Sequence, residues 1–163
     1  MKPPSVEKFD TSRANEYARQ SRIALAGYDA CHDLAACMLA ASLGPSRTAN
    51  ILVVGAGGTA QEIIAMAGLE PDWHFTAVDP SEPMLDAAVQ QLQAKGLQHR
   101  TTVHLGLVEE LPAQASFDAA TLIGVLHHLN GDEPKQQILQ SVQARLKPGA
   151  PLIVAGNHYA YAS

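Results

Sequence analysis

Ile51-Leu52-Val53-Val54-Gly55-Ala56-Gly57-Gly58-Thr59-Ala60-Gln61-Glu62 is an apolar run that stops at glycines and passes into the start of a helix. A short apolar strand, a glycine turn and a helix in that order belong to the first unit of an α/β sheet. Such a turn lets the backbone approach a nucleotide-like ligand closely. Downstream, Phe75-Thr76-Ala77-Val78-Asp79 is a second apolar run that ends in a carboxylate. An acid at the tip of the second strand is placed to accept both hydroxyls of a ribose. The glycine turn and the distal acid together read as a nucleoside site. A dinucleotide turn would want a third glycine where this chain has Thr59. Thr59 and Glu62 instead have capping-box spacing, which closes the helix start with protein groups and leaves less room for a pyrophosphate.

Working outward, strands are predicted near 50–55, 74–79, 101–105, 117–123 and 151–155. Helices are predicted near 59–68, 82–95 and 133–146. Ser81 and Pro83 open the second of these helices and Gly96 closes it, while Asp132 is the expected N-cap of the third. Strand–helix alternation implies parallel strands with right-handed crossovers. The expected fold is therefore α/β, a Rossmann-like doubly wound sheet of five strands. Its site should lie beyond the strand C-termini, where the first and fourth strands meet. Ahead of it, residues 10–43 carry apolar positions at helical spacing, with Gly27 dividing them into two helices. The expected organisation is a helical lid segment over 1–49 and a binding core over 50–163.

Composition narrows the partners. The 163 residues suit one domain with a real core. The formal charge of −5 gives no electrostatic footprint for nucleic acid, so a small molecule is the expected substrate. Cys31 and Cys37 are six apart in a helical pattern and point to opposite sides, which predicts buried structural thiols rather than a metal pair. No other His/Cys/Asp spacing suggests a metal site. No apolar run is long enough to span a membrane, and the first residues do not read as a signal peptide, so a cytoplasmic protein is expected.

Four segments resemble the class I S-adenosylmethionine-dependent methyltransferases. They are Val54-Gly55-Ala56-Gly57; Val78-Asp79-Pro80-Ser81-Glu82-Pro83-Met84-Leu85; Gly106-Leu107-Val108-Glu109-Glu110-Leu111-Pro112; and the stretch from Phe117-Asp118 through Leu126-His127-His128-Leu129 to Leu146-Lys147-Pro148-Gly149. The resemblance implies S-adenosylmethionine as cofactor. Gly55, Ala56 and Gly57 would approach its methionine part, and Asp79 would accept the ribose hydroxyls. Pro80 and Met84 would lie near the sugar and adenine, Leu107 and Val108 beside the adenine edge, and Ile123 on the methyl-donor side. Ala26-Gly27-Tyr28 is similar to a Gly-Tyr turn in the carboxy-S-adenosylmethionine synthases, where the tyrosine reaches the carboxylate end of the cofactor. Tyr28 is either that contact or an ordinary packed tyrosine.

The chain departs from the family pattern at two positions. Val53 stands where the family often has an acid that orients the methionine ammonium, and Leu107 where it commonly has an aspartate for the adenine amino group. Each lost hydrogen bond would weaken binding by about 1 kcal/mol. The chain also lacks the usual last two strands. This predicts either a truncated product or a fifth-strand edge covered by a second copy in a homodimer. His127 and His128 are the candidate general bases, set against a structural role in the Leu-His-His-Leu lead, and His158 and Tyr159 lie near the expected mouth. Three functions stay open: methyl transfer to a small molecule, a carboxy-S-adenosylmethionine-synthase-like reaction, and a non-catalytic S-adenosylmethionine-binding module.

Overall fold

The computed structural model describes residues 11–24, 27–45 and 47–157. Five parallel strands form one sheet: β1 (Ala49–Val54), β2 (Trp73–Asp79), β3 (Thr101–Leu105), β4 (Ala119–Ile123) and β5 (Leu152–Ala155). Their spatial order is β3-β2-β1-β4-β5. Helices α1 (Thr11–Ala24) and α2 (Tyr28–Leu43) precede β1. Helices α3 (Gln61–Leu69), α4 (Glu82–Ala94) and α5 (Asp132–Gln143) follow β1, β2 and β4. The doubly wound sheet expected from the alternation is present, and the chain reverses direction across the sheet between β1 and β4. Gly27, at φ 83°, ends the α1–α2 joint in the left-handed conformation that glycine adopts without steric cost.

Alternation along β1 divides the core. Ile51 and Val53 face one layer with Ile63 and Met66 of α3, Leu39 of α2, and Trp73 and Phe75 of β2. Leu52 and Val54 face the other with Val142, Ile138 and Leu139 around α5. Residues 51–53 of β1 have no exposed surface, as a central parallel strand covered on both faces requires. Ala119 and Thr121 of β4 pair with Ile51 and Val53, so they share the α2–α3 face.

Four local expectations need correction. Helix α3 begins at Gln61, because Ala60 at the cap position is left-handed with φ 50°. No Thr59–Glu62 capping box forms. The Thr59 hydroxyl oxygen instead accepts from the Gln61 N–H at 3.3 Å, and Glu62 turns inward. Asp132 is the first residue of α5 rather than its cap, a role taken by Gly131 at φ 81°. The thiols are not buried: Cys31 is half-exposed and Cys37 exposed. The face α2 buries runs through Tyr28, His32, Ala35, Ala36 and Leu39, and the apolar pattern is wider than that face.

Arg145 carries an unusual structural duty just after α5. It is 3% exposed, and its guanidinium donates to the carbonyls of Ser141 at 2.6 Å, Glu109 at 2.8 Å and Leu111. The last two belong to the loop after β3. One buried cation therefore ties that loop to α5 through charge-assisted bonds. Arg145→Ala should lower unfolding free energy by about 3 kcal/mol, read from urea denaturation. A loss below about 1 kcal/mol would show that water replaces those bonds freely.

Candidate functional site

A cleft opens at the C-terminal ends of the strands, where an open parallel sheet places its ligand crevice. Its walls include Gly55 and Gly57 after β1, Asp79 and Pro80 after β2, Met84 on α4, Leu107 and Val108 after β3, and Ile123 at the end of β4. The sequence read these eight residues as one site, and the fold brings them together. His128 also reaches the cleft. His127 is outside its lining; its ring packs at a tilt of 44° on that of His128, with centroids 4.1 Å apart, and turns toward Gly156. Ala56 is buried behind the loop, also outside the lining. His158, Tyr159 and Ala26 lie outside the described residues.

The glycine loop is held by its neighbours. Gly55 and Ala56 donate to the Val78 carbonyl at 2.8 and 3.1 Å, and Gly58 donates to the Met84 carbonyl at 2.7 Å. Gly57 donates to Asp79 Oδ2 at 3.0 Å. All four N–H groups from Gly55 to Gly58 thus point at protein acceptors. The helix-end array that would cradle a pyrophosphate is already engaged. A Cβ at Gly57 would fall 2.6 Å from both Asp79 Oδ2 and Met84 Cβ, so only glycine allows this approach. At Gly55, φ is 75° and a Cβ would collide with Val125. Asp79 accepts a second bond from the Ser81 N–H at 2.8 Å. Burial raises the Asp79 pKa, and the Ser81 and Gly57 N–H groups oppose that rise.

Tyr28 is buried outside the cleft lining. Its phenol forms a 2.8 Å hydrogen bond with the Thr59 hydroxyl, and burial pushes its pKa up to about 12. The aromatic that does reach the cleft is Tyr17 of α1, which packs on the glycine loop: a Cβ at Gly58 would sit 2.6 Å from its ring. Tyr17 carries no motif, and its helical spacing looked like ordinary lid packing. Val125, Leu129 and Ile138 were also missed as lining; they add an apolar wall beside His128.

A second missed group is Glu62. It is 6% exposed, its Oε2 accepts from the Thr121 hydroxyl at 3.3 Å, and its Oε1 has no hydrogen-bond partner among the described residues. Desolvation lifts its pKa to about 8, against the lowering effect of Thr121. Because the folded value exceeds the ordinary glutamate value of about 4.3, the protonated acid favours folding. Its stabilising share is complete below the unfolded pKa and is lost as pH rises through about 8. Denaturation from pH 5 to pH 9 should therefore show stability falling by on the order of 4 kcal/mol, with most of that slope absent in Glu62→Gln. A flat profile in the unaltered protein would mean that Glu62 is solvated.

The Methyltransferase domain family pattern matches residues 52–152, more than half of the chain. Among solved structures, a Methanococcus maripaludis protein described as an S-adenosyl-L-methionine-dependent methyltransferase superposes with TM-score 0.74 at 18% identity. That match covers 96% of this chain and 66% of that one. An Aquifex aeolicus SAM-dependent methyltransferase gives TM-score 0.65 at 18% identity, covering 90% and 72%. The cyclase SpnF gives 0.62 at 25% identity, covering 75% and 44%. The chain thus spans less than half of SpnF and about two thirds of the Methanococcus protein. No curated protein matches the sequence. No helix among the described residues is long and apolar enough to cross a membrane.

Proposed function

The chain belongs to the Methyltransferase domain family, whose cofactor is S-adenosylmethionine, and from that premise we propose that it transfers a methyl group to a small-molecule acceptor. The observation that carries this reading is the Gly57–Asp79 contact. It sets a buried carboxylate at the tip of β2 against a glycine whose missing Cβ leaves the approach open. These residues fit the cofactor: Asp79 could accept ribose hydroxyls, Pro80 and Met84 would flank the sugar, and Val108 would present an apolar edge to the base.

When bound, S-adenosylmethionine supplies an electrophilic methyl on a positively charged sulfur, so the chemistry needs little acid–base help. The protein's task is positioning and exclusion of water. Ile123, Val125, Leu129 and Ile138 give the acceptor side an apolar lining, and Tyr17 closes over the glycine loop. His128 is on the same lining, which supports a role for it in taking a proton from an acceptor hydroxyl or amine. His127 would position His128 through the tilted packing of their rings. Helix α1 acts as the lid in this reading, through Tyr17. Net charge of −5 and the apolar wall favour a small, uncharged or cationic acceptor over nucleic acid.

Calorimetric titration with S-adenosylmethionine, S-adenosylhomocysteine and NAD tests the ligand class. Both sulfur nucleosides should bind and NAD should not; binding of NAD alone would overturn the reading. Asp79→Ala should weaken S-adenosylhomocysteine by about tenfold to a hundredfold, on the net value of charged hydrogen bonds. Unchanged affinity would remove Asp79 from the site. Gly57→Ala should weaken binding as severely while leaving far-ultraviolet circular dichroism intact, since the obstruction is local.

A further inference from the structure

Val53 has no carboxylate to offer, yet the fold brings one to its level from another element. Val53 of β1 is register-paired with Thr121 of β4, so the two side chains share one face of the sheet. The Thr121 hydroxyl is the group that holds Glu62, which descends from α3 onto that face. A carboxyl group thus lies against the face and height at which a strand-borne acid at position 53 would stand. We infer that Glu62 takes over the task of that acid and pairs, through its unpartnered Oε1, with the ammonium at the amino-acid end of the cofactor. The inference rests on the cofactor reading given above and names the residue that decides recognition of one end of the ligand.

Position supports it. Asp79 is on the same sheet face as Ala77, which is level with Val53 and Thr121. Two strand spacings, about 10 Å, separate β2 from β4, a distance that an extended chain from ribose through sulfur to an amino acid covers. Glu62 lies behind the cleft lining, and Tyr17, which is in that lining and packs on Gly58, feels both Glu62 and Asp79.

Charge supports it as well. The groups facing Glu62 are Tyr17 from α1, Tyr28 and Cys31 from α2, and Thr121 from β4. Among the described residues, none of these groups carries positive charge, so the ligand's ammonium would be the cation that meets Glu62. Before binding, Glu62 is mostly protonated at pH 7, with its pKa near 8. Pairing converts the acid to carboxylate and sends its proton to solvent, while the ammonium keeps its own. The carboxylate then gains the partner that burial denied it.

Methylthioadenosine has the adenine, ribose and sulfur of the ligand but no amino-acid end, so it isolates the contact. Glu62→Gln should weaken S-adenosylhomocysteine at least tenfold and leave methylthioadenosine within about twofold. Equal losses for both probes, or no loss for either, would overturn the inference. The unaltered protein gives an independent reading free of folding effects. Calorimetry at pH 7 in buffers of different ionisation enthalpy should show most of one proton released with S-adenosylhomocysteine beyond that released with methylthioadenosine. Equal release would also overturn the inference. If neither probe binds the unaltered protein, the cofactor reading itself falls; if methylthioadenosine binds without these differences, only the role of Glu62 falls.

Discussion

Burial of β1 on both faces is the constraint from which the rest of the structure follows. A strand with parallel neighbours on each side and helices above and below can carry no polar side chain without a partner. Ile51, Leu52 and Val53 obey that rule. Parallel pairing also sends every strand's C-terminus to the same edge, so the turns after β1, β2, β3 and β4 must meet there. The cleft is the geometric result of that convergence. Its polarity comes from residues just past the strands, where the constraint relaxes.

The acid at Asp79 shows how that relaxation works. It is as buried as many core residues, but it sits where two backbone N–H groups are free to meet it. A ligand that binds this carboxylate enters a site already arranged by Gly57 and Ser81, with little reorganisation left to do. Glu62 is the opposite case. It lies one layer deeper, holds one hydroxyl and is kept mostly neutral by its surroundings. Burial raises the pKa of both carboxyl groups, but two N–H donors oppose the rise at Asp79 and one hydroxyl opposes it at Glu62, which is the physical origin of their different expected duties.

Much of this was legible from residue order because the signals were local. Glycines after an apolar run, an acid at the end of the next one and Pro83 near a helix start each act within a few residues, and their elements fell where expected. What escaped reading depended on distant partners. Tyr17 is ordinary in its own helix and becomes a cleft residue only because α1 crosses Gly58. Glu62 matched a capping pattern, but Ala60 in the left-handed conformation delays the helix and turns that carboxyl inward. Arg145 carries no local signal near the end of α5, and only its distant carbonyl partners make it a buried clasp. Cys37 sat in an apolar pattern broader than the face that α2 buries.

Arg145 has one more consequence. Because it grips the carbonyls of Glu109 and Leu111 from the end of α5, the loop that flanks the cleft and the last turn of that helix are held as one unit. A molecule that settles against Val108 and Ile138 thereby quiets the far end of α5, a turn beyond the part of the helix that lines the cleft. Protection of the last α5 amides against solvent exchange becomes a gauge of occupancy, carried by the Arg145 guanidinium together with the apolar packing of Val108 and Leu111 on Val142.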